Sequence, residues 1–485
     1  MGNVYNRNRM FFQKEEDEMN EKNKDGIRDA KSLGGGKMFI LGLQHMFAMF
    51  GATILVPILV MGYFSDACGE PITRGLTVSV TLFCAGVGTL IFHLCSKFKV
   101  PAFLGSSFAY LGGFSTIANL NSGMYANMDV NTKAAYACGG IVVAGCLYFI
   151  LAAIIKLVGV NRVMKFLPPV VTGPIIICIG LSLAPSAISN ASTNWLLAII
   201  ALVVIIIFNI WGKGMFKIIP ILMGVVISYV CAIIFNACGM TNADGSAILD
   251  FSSVASAAFV GVPHFQFAKF DITAILVMAP IALATMMEHI GDMSAISATV
   301  GENYLESPGL HRTLIGDGLA TAFAGMIGGP ANTTYGENTG VLELSKVYDP
   351  AVVRLAACFA IVLSFIPKFS DIIATMPSAI IGGVSFMLYG MISAIGVRNV
   401  VENKVDLTKS RNLIIAGVIF VCGLGFSDGI TFTVAGTSIT LTALAIAAIA
   451  GIVLNAILPG NDYEFGKNPA GDQSRGVFVK NSDND

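Results

Sequence analysis

The chain of 485 residues contains few charged side chains, because Asp, Glu, Lys and Arg together make up only 12% of it. An ordinary soluble domain carries about 25% charged residues. Hydrophobic residues reach 55%, and most of the chain consists of stretches near the roughly 20 apolar residues that a membrane-spanning helix needs. The shortage of charge therefore excludes an ordinary soluble protein and indicates a polytopic membrane protein. A net charge of −1 gives no reason to expect a nucleic-acid partner.

Several catalytic and metal-binding motifs are missing. The ten cysteines form no CxxC pair, and nearly all lie in apolar segments, where small buried side chains are expected. The five histidines form no HExxH motif, and neither a GxxxxGK[ST] phosphate loop nor a nucleophile elbow occurs. We therefore expect no enzyme activity, no metal and no cofactor, and an ATP-driven pump is disfavoured.

Charged stretches flank the apolar region at both ends. Residues 1–37 carry both signs of charge and have no apolar core of a signal peptide, which predicts a disordered cytosolic tail. Residues 460–485 have a similar composition and predict a second cytosolic tail.

Apolar stretches predict twelve ordinary membrane spans, and two further segments are interrupted by Gly, Pro and polar residues. The interrupted segments are VPAFLGSSFAYLGGF, from Val100 to Phe114, and GGPANTTYGENTG, from Gly328 to Gly340. If both cross the membrane partway, the chain has fourteen spans and both tails lie on one side. The twelve ordinary spans are 38–62, 75–96, 134–157, 168–187, 194–211, 218–238, 271–291, 313–328, 349–367, 372–394, 411–427 and 438–458.

The distribution of Lys and Arg supports fourteen spans. With the N-terminus inside, the inner loops hold fourteen of these residues and the outer loops hold four, namely Arg74, Lys133, Lys269 and Lys368. Cytoplasmic loops are enriched in Lys and Arg, and omitting one interrupted segment would reverse the bias in the loops that follow it. The sequence thus predicts a multi-pass plasma-membrane protein with both termini cytoplasmic.

The two interrupted segments are the third and tenth spans, seven apart, and each contains Pro-Ala, at Pro101 and at Pro330. A repeat of seven spans must be inverted, and interrupted segments at matching places of inverted halves indicate a transporter binding site. The first N–H groups of a half-helix lack intrahelical partners and can bind a substrate carbonyl. Phe108 adds a ring on which a flat ligand could stack. The alternative, two surface loops, is disfavoured by the distribution of charge.

Two carboxylates within predicted spans are the main candidates for function, Glu288 and Glu337. A charged carboxylate at the membrane centre costs about 2.5–3.5 kcal/mol and is typical of functional sites. The alternative for each is a structural hydrogen bond between helices. Asp292 lies one helical turn after Glu288 on the same face, whereas His289 points about 100° away from it.

Two other ionisable residues are less clearly placed by the sequence. His45, beside Gln44 in the first span, is a candidate hydrogen-bond or proton-relay residue. Asp317 lies near the inner end of a predicted span and could sit at the membrane interface, so its role is left open.

At these positions the chain resembles the nucleobase–ascorbate transporter family, also called nucleobase:cation symporter-2, and within it the bacterial uracil permeases. The resemblance covers nearly the whole span region and rests on Gln44-His45, GSSFAYL, EHIG, NTTYGENTG and PSAIIGGVSFMLYGMI. It implies an all-α membrane fold of fourteen spans in two inverted repeats of seven, with spans 3 and 10 broken. It further implies a core of residues 38–158 (spans 1–4) and 271–367 (spans 8–11). Residues 168–238 (spans 5–7) and 372–458 (spans 12–14) would form a gate that also makes a homodimer.

The resemblance also assigns roles to individual residues. Substrate binding falls on the carboxylates Glu288 and Glu337 and on backbone amides at Phe108 and at Tyr335-Gly336. Proton coupling, or the hydrogen-bond network around the substrate, falls on Glu288, His45, Asp292 and Asn338. The chain departs from some uracil permeases, which have a His at the position of Asp292, and from the family signature at Ser345-Lys346.

These features together lead us to expect a uracil:proton symporter. Uracil has two N–H donors and two carbonyl acceptors, which two carboxylates and two sets of half-helix amides can pair. Desolvation favours the neutral form of a carboxyl group, so Glu288 is the expected proton carrier. Xanthine or another nucleobase is the first alternative substrate. The second alternative is an anion transporter or channel of the same fold, for which a basic or neutral site would be expected.

Overall fold

The computed structural model describes residues 26–426, 429–434, 437–460 and 463, and the chain is predominantly helical throughout them. In the first half, the helices are α1 (Gly35–Cys68), α2 (Val78–Cys95), α3 (Leu111–Ala118), α4 (Val130–Val158), α5 (Val160–Met164), α6 (Pro169–Ser182), α7 (Ala184–Ser192), α8 (Trp195–Trp211), α9 (Met215–Ile218) and α10 (Pro220–Ala237). Strand β1 (Leu104–Ser106) precedes α3, with a 3₁₀ turn over Phe108–Tyr110 between them.

The second half repeats this mixture of long helices and short strands. Its helices are α11 (Ser252–Ser256), α12 (Ile272–Met278), α13 (Ala282–Val300), α14 (Leu310–Met326), α15 (Gly336–Ser345), α16 (Pro350–Ser364), α17 (Pro367–Ala374), α18 (Ser378–Glu402), α19 (Ser410–Gly425) and α20 (Ala443–Ile457). Its strands are β2 (Asn332–Thr334), β3 (Ile430–Val434) and β4 (Thr437–Leu441).

Local sequence explains where many of these helices begin. Proline occupies the first helical position of α6, α10, α16 and α17, where its missing N–H costs nothing. Polar side chains accept a hydrogen bond from the first turn of five other helices: Thr77 for α2, Asp129 for α4, Asn194 for α8, Asp271 for α12 and Thr442 for α20.

Within the described residues, seven helices are long and apolar enough to cross a membrane: Gly35–Cys68, Val78–Cys95, Val130–Val158, Pro169–Ser192, Pro220–Ala237, Ile272–Val300 and Ser378–Val401. An eighth candidate is the pair α16 and α17, which is bent by 86°. The protein is therefore a multi-pass membrane protein.

Two predicted boundaries differ from the structure. The predicted span 372–394 begins inside α17, and its helix starts only after Pro377, which ends the preceding turn and leads into α18. The predicted span 438–458 is a helix only from Ala443, because β3 and β4 form an antiparallel hairpin before it. Threonine and β-branched residues at 430–441 favour strands.

The prediction of a disordered tail over residues 1–37 was wrong for residues 26–37. Residues 26–34, here called the N-terminal strap, pair with the chain beyond α15, where Ile27 N–H donates to Lys346 O and Tyr348 N–H donates to Ile27 O, both at 2.8 Å. Ala30 is buried in a small apolar cluster with Val347 and Val352. The apolar residues of the strap explain its order. Residues 1–25 of the predicted tail, and nearly all of 460–485, lie outside the described residues.

The helices pack in two groups. In the first, α14 packs against α4 and α2, α16 against α2 and α1, and α3 against α1 and α4. In the second, α18 packs against α6, α7 and α8, α19 against α6 and α20, and α10 against α8. Helix α13 contacts both groups, because it touches α15 on one side and α6 and α20 on the other.

Candidate functional site

The two interrupted segments meet as a two-stranded antiparallel ribbon in the protein interior. Strands β1 and β2 pair in the register Leu104 with Thr334, Gly105 with Thr333, and Ser106 with Asn332. All six residues are buried. An added Cβ at Gly105 would clash with the ring of Tyr335, so glycine is needed where the ribbon is most crowded. The ribbon therefore joins two parts of the chain more than 200 residues apart.

A half-helix follows each strand, and the two half-helices leave opposite ends of the ribbon because the strands are antiparallel. The 3₁₀ turn Phe108–Tyr110 leads from β1 into α3, and Gly336 begins α15 after β2. Three strand residues span about 7 Å. In this described region, neither N-cap residue, Ser107 or Tyr335, bonds its side chain to the first turn that follows. The first N–H groups of both half-helices are thus left for a ligand.

Helix α13 places the predicted carboxylates beside the second half-helix. Asp292 Oδ2 accepts a hydrogen bond from Thr334 Oγ1 at 2.9 Å, which ties α13 to the end of β2. Asp292 Oδ1 is 3.9 Å from where a Cβ on Gly336 would be. Glu288 lies close enough to Asp292 and Glu337 for their charges to act on it. In the described structure its buried Oε2 has no hydrogen-bond partner.

His289 and Asp317 form a second polar contact just behind this face. His289 Nδ1 lies 3.2 Å from Asp317 Oδ2 and 3.5 Å from the Thr334 hydroxyl. The same hydroxyl donates to Asp292, so Thr334 links His289 to Asp292. Asp317, whose role the sequence left open, is fully buried. Its helix, α14, packs against α4 and α2.

His45 and Asn338 are brought together across 293 positions of sequence. Asn338 Nδ2 donates to the His45 carbonyl at 3.0 Å and lies 3.1 Å from His45 Nδ1. The other polar atoms of this pair, His45 Nε2 and Asn338 Oδ1, are buried and have no hydrogen-bond partner in the described part of the chain. This pair therefore fastens α1 to the first turn of α15, beside Glu337.

Phe108 and Tyr335 occupy the two N-termini in different ways. The Phe108 ring lies edge-to-face with Tyr389 of α18, with ring centroids 5.9 Å apart. Tyr335 turns its side chain back into the ribbon, where its hydroxyl donates to Ser106 O at 2.8 Å. Its backbone N–H donates to Phe103 O at 3.0 Å, so at this N-terminus the amides from Gly336 onward are left for a ligand.

Sequence reasoning missed two polar residues on α18. Ser385 is fully buried, and Tyr389 is 2% exposed and packs on Phe108. The Tyr389 hydroxyl lies near Ser186 and Ser385, but in the described residues it makes no hydrogen bond of good geometry. Their spacing of four, which places both on one face of α18, was the available signal. They bring the second helix group to the edge of the site.

Buried polar atoms without partners gather around the ribbon. In the described ranges they include His45 Nε2, Ser107 Oγ, Glu288 Oε2, Thr333 Oγ1, Asn338 Oδ1 and Tyr389 Oη. Buried polar atoms are normally paired, so a cluster that is not indicates a site built for a polar ligand. The described residues contain no group of three His, Cys, Asp or Glu side chains arranged to hold a metal ion.

Comparison with known proteins identifies relatives over most of the chain. A model of the permease family matches residues 36–432. The uracil permease of Bacillus caldolyticus is 39% identical over 449 residues, which cover 90% of this chain and 94% of that protein. The uracil permease of Bacillus subtilis is 38% identical, with 90% and 95% covered. The putative pyrimidine permease RutG of Escherichia coli is 34% identical, with 86% and 89% covered.

Solved structures share the fold at low sequence identity. The transmembrane domain of the cyanobacterial bicarbonate transporter BicA matches with a TM-score of 0.52 and 18% identity, covering 80% of this chain and 96% of that domain. The murine anion transporter Slc26a9, in the inward-facing state, matches with a TM-score of 0.57 and 8% identity, covering 87% and 67%. These likenesses concern the fold alone.

Proposed function

The chain belongs to the permease family, the nucleobase:cation symporter-2 family, and from that premise we propose that it imports uracil as a uracil:proton symporter. It is a transporter and not an enzyme. Uracil permeases at 38% and 39% identity over nine-tenths of the chain support uracil as the substrate. The observation that carries the proposal is the convergence of two half-helix N-termini and two carboxylates, Glu288 and Glu337, at one buried ribbon.

The polar groups at the ribbon match those of uracil. Its two ring N–H groups donate to the carboxyl groups of Glu288 and Glu337. Its two carbonyl oxygens accept from amides at Phe108 and at Tyr335-Gly336. A site that pairs every polar atom of one base strongly rejects analogues that leave some of its own buried groups unpaired.

Clustered carboxyl groups support proton coupling. Glu288, Asp292, Asp317 and Glu337 lie near one another, and no Lys or Arg of the described residues forms an ion pair with any of them. Several uncompensated negative charges cannot share one site of low dielectric, so protons must reside there. We assign the coupling proton to Glu288, with Asp292, His45 and Asn338 in the surrounding network. Uracil is neutral, so one co-transported proton makes uptake electrogenic, worth about 2.3 kcal/mol per 100 mV.

The two packing groups of helices suggest how the carrier moves. We assign the first group, together with α12, α13 and α15, to a core that carries the site. The second group, with α6–α10 and α18–α20, forms a gate that makes a homodimer. Movement of core against gate gives alternating access, and Phe108 and Tyr389 meet where the two touch. The full topology is fourteen spans in two inverted repeats, with both termini cytoplasmic in the plasma membrane.

The anion transporters of similar fold offer a rival function. An anion site would place positive or neutral groups at the ribbon, whereas this chain places Glu288 and Glu337 there. Another nucleobase in the same site is the nearer rival, because xanthine also presents ring N–H groups and carbonyls.

Uptake of radiolabelled uracil into proteoliposomes tests the proposal. An inward proton gradient should drive accumulation, and unlabelled uracil should compete more strongly than thymine, xanthine or guanine. Stronger competition by xanthine would show that xanthine, and not uracil, is the substrate, and the proposed site would stand. Accumulation that ignores the proton gradient would refute the coupling, and no accumulation of any nucleobase would refute the substrate class.

A further inference from the structure

A buried lysine lies at the far end of the first half-helix. Lys133, in the first turn of α4, is only 2% exposed. Its Nζ donates to Ala118 O at 3.0 Å and to Leu120 O at 2.9 Å. These two carbonyls lie at the C-terminal end of α3, the helix whose N-terminal side faces the ribbon.

The end of α3 is closed by several groups, of which Lys133 carries the only charge in the described structure. Asn119 Nδ2 donates to Ser115 O at 2.9 Å, and Leu120 N–H donates to Ile117 O at 3.2 Å. The last carbonyls of a helix carry partial negative charge. A buried ammonium is costly unless it is compensated, and among the described residues no carboxylate forms an ion pair with Lys133. The helix end therefore serves as its counter-charge.

Displacement at this end would reach the ribbon because α3 is short and closely packed. The 3₁₀ turn and α3 together run from Phe108 to Ala118, a length of about 18 Å. An added Cβ at Gly113, midway along, would be 2.7 Å from Met278 Sδ and 2.9 Å from Ile281 Cδ1. A helix packed this closely moves as a unit, so the position of its far end fixes that of the Phe108 amide.

We propose that Lys133 is a positioning residue for substrate recognition, which holds α3 so that its N-terminal amides meet a uracil carbonyl. The inference rests on the proposed function, since it gives those amides a uracil carbonyl as their partner. Lys133 itself does not touch the substrate. It acts through the carbonyls of Ala118 and Leu120.

Three variants separate this role from general stability. Lys133→Met keeps most of the apolar stem and removes the ammonium, and Lys133→Arg keeps a cationic donor. Lys269→Met is the matched control, because Lys269 Nζ donates to Thr132 Oγ1 at 3.2 Å, one residue from Lys133, and is exposed. If Lys133→Met fails to fold, Lys133→Gln is used in its place, because it lacks the charge but retains an amide donor.

Three measurements on purified full-length protein test this role: uracil binding, hydrogen exchange and uptake after reconstitution. Lys133→Met should weaken uracil binding about tenfold or more, as expected for a lost hydrogen bond of a charged group, and should speed hydrogen exchange of the amides in residues 108–118. In uptake it should raise the half-saturating uracil concentration while the maximal rate stays within about twofold. Lys133→Arg should restore most of the uracil affinity and of the slow hydrogen exchange. Lys269→Met should change neither the affinity nor the exchange.

Unchanged exchange in residues 108–118 of Lys133→Met would overturn the proposal whatever the ligand. If Lys133→Met and Lys269→Met lose uracil affinity equally, the loss is a general effect of charge, and the proposal would also be overturned. If the wild-type protein does not bind uracil, the proposed function fails, and the exchange measurement still decides whether Lys133 holds α3.

Discussion

The two interrupted segments have the same backbone arrangement and differ in chemistry. The first break is β1 with the half-helix that follows it, and the second break is β2 with α15. Each has a short strand, a half-helix and uncapped N–H groups aimed at the same ribbon. The first break enters its half-helix through a 3₁₀ turn and presents the ring of Phe108. The second enters directly at Gly336 and has Glu337 in its first turn.

The difference extends to the helices around each break. The second half of the chain supplies all four clustered carboxyl groups, Glu288, Asp292, Asp317 and Glu337. The first half supplies neutral partners, such as His45, which contacts Asn338, and Ser106, whose hydroxyl lies 3.3 Å from that of Tyr335. The two halves of the chain thus each bring a strand and a half-helix to the ribbon, while the second half alone brings the clustered acidic groups. In the proposed site, the second break recognises ring N–H groups, and the first completes the contact with a carbonyl.

The far ends of the two half-helices are also held differently. The end of α3 rests on the ammonium of Lys133. The chain just after α15 pairs with the N-terminal strap, which also reaches α13 where Arg28 Nη2 donates to Val300 O at 3.1 Å and the guanidinium pairs with Glu302. The strap therefore joins the ends of the two helices that carry Glu288 and Glu337.

The largest expected effect comes from removing the acidic group of the second break. Glu337→Gln should weaken uracil binding about a hundredfold, because a buried hydrogen bond to a charged acceptor contributes about 1.5–3 kcal/mol. Rotation of the amide to offer its oxygen would then leave its NH₂ unpaired. Equilibrium binding to purified protein measures this, with Glu343→Gln as the control, since Glu343 lies exposed further along the same helix. Wild-type affinity in Glu337→Gln would mean that the two breaks do not differ in the way proposed.

A second substitution separates coupling from recognition. Glu288→Gln should also weaken uracil binding, as Glu337→Gln does, and the transport that remains should not respond to protons, because an amide cannot carry the coupling proton. Exchange of labelled for unlabelled uracil, with and without an inward proton gradient, measures this against Glu70→Gln, an exposed control. If uptake by Glu288→Gln still accelerates with the gradient, the coupling proton would have to be assigned to Asp292 or Glu337 instead of Glu288.

A smaller effect is expected at the first break. Phe108→Ala keeps the backbone amide and loses the edge-to-face contact with Tyr389, and such pairs contribute about 0.5–1.5 kcal/mol. Uracil affinity should therefore fall only about two- to tenfold. A double-mutant cycle with Tyr389→Ala measures the coupling between the two rings. A loss as large as that of Glu337→Gln would show that the ring, and not the amide, is what the first break contributes.

The smallest effect is expected at the strap. The Arg28–Glu302 pair is nearly half exposed on both sides, with 46% and 45% of the side chains accessible, and exposed pairs contribute about 0.2–1 kcal/mol. Arg28→Ala should lower the thermal unfolding midpoint by no more than about 2 °C. The exposed Lys31→Ala is the control, and uracil affinity should be unchanged in both. A large loss of affinity in Arg28→Ala alone would give the strap a role in setting the distance between Glu288 and Glu337.

Local features of the sequence were sufficient for the membrane class, the two breaks and the candidate carboxylates. Apolar runs, Pro-Ala and carboxylates within spans are all signals that neighbouring residues carry. The register of β1 with β2, the bond from Thr334 to Asp292 and the contact of His289 with Asp317 join residues far apart in sequence. Periodicity cannot reveal such pairs. The hairpin over β3 and β4 was missed because each strand is only five residues long and the second continues into the apolar run of α20.

A structure of the protein with uracil bound tests the central claim most directly. We expect the ring between the N-termini of the two half-helices, with its N–H groups on Glu288 and Glu337 and its carbonyls on amides at Phe108 and at Tyr335-Gly336. A cavity of about 420 Å³ is lined by residues that do not belong to the ribbon, namely Leu41, Gln44, Gly214, Met215, Lys217, Leu344 and Ser345. Uracil bound there, with the ribbon amides unoccupied, would contradict the claim that the two breaks together form the substrate site.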